Sequence, residues 1–456
     1  MTRLPRLAIA APATGQGKTT IAIGLMAALR RAGHEVSGHK VGPDYIDPGY
    51  HALACGRPSR NLDPHLAGEQ RIAPLLLHGA TGADVAIIEG VMGLYDGRIG
   101  GAGFASTAHV AALTRTPVVL VVDISRASRT IGAVVAGMVG FDPGITIAGV
   151  VLNKAGSPRH AREVAESIRL PVLGVLPRDE AIAAPSRHLG LVPAAERTEA
   201  AAALDQLADS IAARIDLGAV LEIAASAPDL EETPWDPQRE VSPVSKTPRQ
   251  PVVAMAGGRA FTFRYTETEE LLRAAGCDVV TFDPLTDPAL PPGTNALYLG
   301  GGFPEVYAAG LSDNAPLRRE LHTAVTDGLP TLAECAGLLY LCRTLDDAPM
   351  IGALPASAAM TPRLSLRYPS ATAVTDTVTA RAGQTVTGHE FHRTHVTPDV
   401  GPGPHWAAAW EVAGQQVGFA GPTVQASYLH THWAGYPGMA QRFAEAAFRN
   451  AVAVPR

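Results

Sequence analysis

Short apolar runs recur along the first half of the chain: RLAIAA, HEVSGHKVG, DVAIIEG, PVVLVVD, ITIAGVVLNK and PVLGVLP, several of them separated by stretches with helical periodicity. Runs rich in β-branched residues and bounded by helices belong to strands buried on both faces, as in a parallel sheet covered by helices. The pattern predicts a doubly wound, mostly parallel α/β domain over residues 1–224. From Ala225 to Pro251 it collapses into SAPDLEETPWDPQREVSPVSKTPRQP, where prolines and charges replace the periodicity. Proline neither continues a helix nor donates to a ladder, so residues 225–250 read as an extended linker. A second α/β series occupies residues 251–456: VVAMA, CDVVTFD, ALYLGGG and PTLAECAGLLYL. A Thr/Val-rich, strand-like region follows to about Gln416, then GFAGPTVQASYLHTHW and a last amphipathic helix, MAQRFAEAAFRNAV.

Composition agrees with a soluble chain of more than one domain: 456 residues, 46% hydrophobic and 18% charged. A net charge of -6 and the lack of a basic stripe argue against nucleic acid and anionic membranes as partners. No apolar run reaches the roughly 18 residues of a membrane span. The opening MTRLPRLAIAAPA has the charge of a signal peptide but is too short and runs directly into the motif described next, so a cytoplasmic location is expected. The four cysteines, Cys55, Cys277, Cys335 and Cys342, show no CxxC spacing and read as reduced thiols.

APATGQGKTT, residues 11–20, lies between an apolar run and a helix-compatible stretch. Backbone N–H groups in such a turn form an anion site, to which the helix dipole adds partial positive charge. Gly15, Gln16, Gly17, Lys18, Thr19 and Thr20 are therefore expected to hold the phosphates of a nucleotide, Lys18 at the β/γ-phosphates and Thr19 on Mg2+. The loop departs from the GxxxxGK[ST] pattern at Pro12, where glycine is usual. GPDYIDPGYH and IIEGVMGLYDG add acids after the second and third predicted strands. Ligands of parallel sheets bind beyond the carboxyl ends of strands, so Asp44 and Glu89 are expected with Thr19 around Mg2+, with Asp47 and Asp96 facing substrate or ordering loops. Asn153 in VVLNKAGS is read as an amide contacting the purine, the alternative being a turn residue.

A second chemical centre lies in LPTLAECAGLLYL, where Cys335 stands between a strand run and a helix. That turn is expected to expose the thiol and to favour the thiolate through the helix N-terminus. ASYLHTHW supplies His430 and His432 as partner bases, and Gly300, Gly301 and Gly302 are expected to offer N–H groups to an oxyanion. His389, His392 and His395 in GHEFHRTH lack carboxylate or thiolate companions at ligand spacing, which argues against a metal site.

The whole chain resembles the cobyrinate or hydrogenobyrinate a,c-diamide synthases of corrin (vitamin B12) biosynthesis. APATGQGKTT, VGPDYIDPGYH and EGVMGLYDG look like the dethiobiotin-synthetase-like ATP domain of that family. GGFPE, AECAGLLYL, GHEFHRT and SYLHTHW look like its class I glutamine amidotransferase domain. The resemblance implies a ligase that uses ATP, Mg2+ and L-glutamine to amidate the a and c acetates of a corrinoid macrocycle. It implies Cys335 as glutamine nucleophile and His430 as its activating residue; Tyr45 is expected beside Asp47 and Asp96 on the substrate side. Many class I amidotransferases carry a glutamate two residues after the histidine, where this chain has His432. Two alternatives are an amidoligase acting on another corrinoid or carboxylate, and a P-loop partitioning or switch ATPase. The latter often has an additional lysine near the loop start, where this chain has Pro12-Ala13, and leaves the cysteine domain without a role.

Overall fold

Strands β1 (Arg6–Ala10), β2 (Val36–Val41), β3 (Arg60–Leu62), β4 (Val85–Glu89), β5 (Val118–Asp123), β6 (Ile147–Ala155) and β7 (Val172–Pro177) form one sheet in the order β3-β2-β4-β1-β5-β6-β7, with every pairing parallel. The computed structural model describes residues 1–178, 197–244, 250–401 and 403–453. Residues 1–64 with 68–235 make one unit, and residues 236–456 with 65–67 a second. The six strands expected from the apolar runs are present. β3 adds a seventh, too short to announce itself by pattern.

Each strand lies where its composition sends it. All five residues of β1 are buried, as suits a strand with neighbours on both sides. Helix α1 (Lys18–Arg31) begins at Gly17, whose left-handed φ of 98° turns the chain from the loop into the helix. Ala, Leu and Met favour that helix, and Arg30 and Arg31 in its last turn complement its dipole. It packs closely on helix Arg197–Ala212: a Cβ on Gly24 would lie 2.5 Å from Ile211. Because every pairing is parallel, the carboxyl ends of β1, β2, β4, β5 and β6 lie along one edge, where such sheets bind ligands.

The Pro-rich stretch differs in part from an extended tether. Leu230 and Trp235 are buried, Thr2 and Leu230 exchange backbone hydrogen bonds of 2.7 and 3.0 Å, and the Trp235 N–H donates to Pro74 O at 2.9 Å. Proline forbids a ladder and a long helix but not a packed extended segment. Residues 245–249 of the stretch lie outside the described residues. Arg6 anchors this packing. Its fully buried guanidinium donates to the carbonyls of Thr114 (2.9 Å), Leu4 (2.8 Å), Pro228 (2.6 Å) and Arg115 (3.3 Å), and burial brings its pKa down to about 10. Arg6→Leu leaves these acceptors without their donor and is expected to destabilise the first unit by roughly 2–4 kcal/mol. Chemical denaturation followed by the Trp235 fluorescence checks this, and an unchanged midpoint would refute it.

In the second unit β8 (Val252–Ala256), β9 (Asp278–Phe282), β10 (Thr294–Leu299) and β11 (Thr331–Glu334) are the expected strands. The Thr/Val-rich region becomes a separate sheet. Its strands are β12 (Thr344–Leu345), β13 (Ala348–Pro349), β14 (Ser357–Arg367), β15 (Ser370–Ala373), β16 (Thr385–Thr397), β17 (Trp410–Val412) and β18 (Gln415–Val417), with mostly antiparallel pairing. The chain then returns to the first sheet through β19 (Phe419–Ala420) and β20 (Val424–Ser427), giving the order β19-β20-β11-β10-β8-β9. β21 (His430–Thr431) pairs with β16 rather than with β20. This crossing sets His430 directly opposite His389. Helix Pro437–Ala453 closes the unit, as its amphipathic pattern predicts.

Candidate active sites

At the end of β1 the loop holds Gly15 and Gly17 at φ 83° and 98°, and Lys18 follows as the first residue of α1. Lys18 is buried. Its Nζ donates to the Met92 carbonyl and lies 3.4 Å from that of Ala13, and burial, ahead of repulsion from Lys40, lowers its pKa to about 8. Thr20 lies in the first turn of α1. The Gln16 carbonyl accepts from Asn153 Nδ2 at 2.8 Å, and its side-chain oxygen accepts from the Asp123 N–H at 2.7 Å. The Asn153 amide thus braces the loop from below; a Cβ on Gly17 would lie 2.3 Å from it. Lys154 Nζ reaches the Gly15 carbonyl at 3.0 Å and Asp123 Oδ2 at 2.6 Å.

The acids converge, but around a lysine that sequence reasoning does not single out. Lys40 is the register partner of Glu89 across β2 and β4. Its Nζ lies 2.8 Å from Glu89 Oε1, 2.7 Å from Asp47 Oδ2 and 3.9 Å from Asp44 Oδ2. Burial alone would neutralise this ammonium, but Glu89 and Asp47 outweigh it and hold its pKa well above the usual range. The Thr19 hydroxyl donates to Glu89 Oε1 and lies 3.4 Å from Asp47 Oδ2. His51 Nε2, 2.6 Å from Glu89 Oε2, completes the shell from helix α2 (Asp47–Cys55), with its Nδ1 3.3 Å from Ser59 Oγ. Asp47, assigned to substrate from sequence, is therefore the carboxylate that joins Thr19 and Glu89. Asp44 instead turns one oxygen to the N–H groups of Ile46 (2.8 Å) and Asp47 (3.0 Å), holding the start of α2. Asp96 accepts from the Gly93 N–H at 2.9 Å and orders its loop. Tyr45, between Asp44 and α2, is half-buried. The sequence signal for Lys40 is a lysine inside an otherwise buried strand run, HKVG.

In the second unit Cys335 joins β11 to helix Ala336–Leu341 with φ 49° and ψ −96°, a conformation that a non-glycine residue holds only when its surroundings impose it. The turn is sunk rather than raised. The Cys335 N–H donates to Ser427 O at 2.8 Å and the Gly337 N–H to Gly300 O at 3.0 Å; a Cβ on Gly337 would meet Leu299 O at 2.2 Å. Two expectations are thereby corrected. Cys335 is only 4% exposed, and its thiol pKa is raised, by burial first and then by the Glu305 carboxylate, against the opposing hydrogen bond from the Ala336 N–H. Burial thus opposes the thiolate, and a base is required to draw off the proton.

Within the glycine triplet the Gly301 N–H donates to Phe263 O at 3.0 Å and is thus committed. All three glycines permit close approach: a Cβ would lie 2.6 Å from Phe263 O at Gly300, 2.4 Å from His430 Cε1 at Gly301 and 2.0 Å from Ala260 O at Gly302.

His430 is buried and stacks on His389 with centroids 4.8 Å apart and planes inclined by 11°. Its Nδ1 lies 3.7 Å from Glu334 Oε2. His432 belongs to a different cluster. Its Nε2 lies 3.6 Å from Glu267 Oε2 and its ring 4.3 Å from that of Tyr265, whose hydroxyl is 3.2 Å from His389 Nε2. In GHEFHRTH, His389 is buried and His395, on the same face of β16, is exposed, while His392 stacks on Tyr428 at 3.7 Å. Glu334, adjacent to Cys335, and Glu267 are further residues that sequence reasoning does not single out.

Residues 7–192 match the family model of the CobQ/CobB/MinD/ParA nucleotide binding domain, and residues 252–437 that of the CobB/CobQ-like glutamine amidotransferase domain. The hydrogenobyrinate a,c-diamide synthase of Thermobifida fusca (strain YX) is 60% identical over 461 residues, covering 97% of each chain. That of Streptomyces coelicolor is 51% identical, also with 97% coverage of each. The cobyrinate a,c-diamide synthase of Synechococcus sp. is 40% identical over 96% of this chain and 98% of its own. The chain belongs to the a,c-diamide synthase family. Membership makes it an enzyme of the amidotransferase and ligase kind, with a nucleotide-binding half and a glutamine amidotransferase half. Each matched region contains one of the two clusters: Lys18, Lys40, Glu89 and Asn153 in the first, Glu334, Cys335 and His430 in the second. Among the described residues no helix is long and apolar enough to cross a membrane.

Proposed function

We propose that the chain uses ATP and L-glutamine to convert the a and c acetate side chains of hydrogenobyrinate or cobyrinate into amides. One observation carries this reading: a phosphate-loop cluster, and a buried Cys335 whose chain neighbour Glu334 faces the buried His430, occur in one chain related over almost its full length to a,c-diamide synthases. The higher identity to the hydrogenobyrinate enzymes favours the cobalt-free acid. Residues 1–224 are assigned to the ATP half, 225–250 to the connection and 251–456 to the glutamine half. Both co-substrates are cytoplasmic solutes, which supports a reaction in that compartment.

In the glutamine half, His430 takes the Cys335 proton and the sulfur attacks the side-chain amide carbon. The proton passes to the departing nitrogen, ammonia leaves, and water hydrolyses the thioester to glutamate. A carboxylate is a poor electrophile, so in the ATP half a substrate acetate attacks the γ-phosphorus and ADP departs. Ammonia then displaces phosphate from the acyl phosphate, losing a proton, to leave the amide. Lys18 and the loop N–H groups of Gly15 to Thr20 bind the phosphates, Asn153 keeps the loop seated under the nucleotide, and Tyr45 and Asp96 line the acceptor side. Thr19, Asp47 and Glu89 present only oxygen donors. Asp47 is pushed upward by burial first and then by Glu89, while the Lys40 ammonium at 2.7 Å pulls the other way. These residues fit Mg2+, with Asp44 at the margin; when bound, it neutralises charge on the phosphates. Lys40 keeps Asp47 and Glu89 in place.

The test is incubation with each acid, ATP, Mg2+ and glutamine, with products identified by mass fragmentation. The expected product is the a,c-diamide with stoichiometric ADP, phosphate and glutamate. Amidation confined to other side chains, or ATP hydrolysis without any amide, would overturn the assignment.

A further inference from the structure

We infer that Glu334 positions His430 for proton transfer, in place of the acid that many class I glutamine amidotransferases carry two residues after the histidine. The inference rests on the reading of Cys335 and His430 as nucleophile and base. At the usual position this chain has His432, fully buried and facing Glu267 at 3.6 Å. A carboxylate does face His430 Nδ1, from the residue before the nucleophile, Glu334, at 3.7 Å.

Glu334 is held as a positioning group has to be. It ends β11 beside β20, and its side chain is only 6% exposed. The Tyr298 hydroxyl donates to Oε2 at 3.0 Å; the Thr431 hydroxyl and N–H donate to Oε1 at 3.1 and 3.3 Å. Three donors from β10 and β21 thus fix both oxygens without neutralising the charge. The imidazole is confined independently, by the His389 ring on one face and by the missing side chain of Gly301 at its Cε1. A buried carboxylate is costly without a compensating charge, and an imidazolium at His430 supplies one.

The proton account is simple. With Nδ1–H directed at Glu334, Nε2 carries the lone pair and accepts the proton from the Cys335 thiol. Glu334 stays ionised throughout and takes no proton. Nε2 then gives the proton to the nitrogen leaving glutamine, and the ring returns to its starting tautomer. The 3.7 Å separation closes to hydrogen-bond length as charge forms on the ring, as resting catalytic contacts commonly do.

The experiment compares full-length Glu334→Gln, Glu334→Asp, His430→Ala and the double variant Glu334→Gln/His430→Ala, with thermal unfolding as the folding check. For Glu334→Gln, kcat for glutamine hydrolysis is expected to fall about 10²-fold or more, with KM within about threefold and ammonium-dependent amidation within about twofold of the parent. Glu334→Asp, which keeps the charge, should recover at least about tenfold of that loss. On top of His430→Ala, Glu334→Gln should cost less than about threefold, because a residue acting through the imidazole has nothing left to position. Retention of kcat within about threefold by Glu334→Gln, an equal fall in ammonium-dependent amidation, or a full additional loss in the double variant would each overturn the inference. Intact glutamine use by His430→Ala would instead sink the Cys-His reading beneath it.

Discussion

Lys18→Ala is expected to lower ATP-dependent amide formation on the order of 10³-fold or more, whether glutamine or ammonium supplies the nitrogen. Both nitrogen sources depend on the same activated carboxylate, so loss of phosphate stabilisation stops them alike. The structure shows why no neighbour substitutes. Among the described residues Lys40 is the other buried ammonium, but it is clamped to Glu89 and Asp47 at 2.8 and 2.7 Å and faces the carboxylates. Lys154 is tied to Asp123 at 2.6 Å beneath the loop. Lys18, by contrast, rests on the carbonyls of Met92 and Ala13, neutral acceptors that a phosphate replaces with gain. Glutamine hydrolysis is the internal control and should stay measurable. The measurement is ADP and amide release under saturating acceptor; amide formation within about tenfold of the parent would remove Lys18 from the phosphate site.

How much of this was legible in advance depends on whether the signal was local. The apolar runs became strands because burial on both faces of a parallel sheet demands continuous hydrophobicity, and six of the first sheet's strands follow from that alone. The phosphate loop was equally readable, since its glycines, lysine and helix are consecutive. The partners of these residues were not. Lys40 meets Glu89 because β2 and β4 are neighbours in the sheet, a pairing that skips β3 and that periodicity does not encode. The distinction between Asp44 and Asp47 was invisible for a related reason: both follow the same strand, and only the first turn of α2 decides which one turns back to cap it.

The cysteine centre shows the opposite error, a local rule applied where tertiary packing prevails. A strand-to-helix turn was expected to lift Cys335 into solvent. Instead Gly300, Gly301, Gly302 and Gly337 let neighbouring groups close in, and the desolvation that follows outweighs the helix N-terminus in setting the thiol. The assembly of His389, His430 and Glu334 has a non-local cause as well. It arises because β21 leaves its own sheet to pair with β16, which no reading of SYLHTHW reveals.

That buried thiol leads to the sharpest expected result. Cys335→Ser should abolish glutamine-dependent amidation, by about 10³-fold or more, while ammonium-dependent amidation stays within about threefold of the parent. A serine hydroxyl at the same place is far less acidic than a thiol, and the burial that already raises the Cys335 pKa opposes an alkoxide still more strongly. The exchange removes little volume and keeps the φ of 49° imposed by the elbow, so the fold and the ATP half should be undisturbed. His430→Ala is expected to give the same split, because the protonated thiol then lacks its base. His432→Ala should keep substantial glutamine use, since that ring faces Glu267 and Tyr265. Each variant is assayed for ATP hydrolysis with acceptor and ammonium present, which separates lost chemistry from lost structure. Should Cys335→Ser still form amide from glutamine, the nucleophile lies elsewhere. Should it fold normally yet fail with ammonium, ammonia production and carboxylate activation are not separable, and the two-centre mechanism falls.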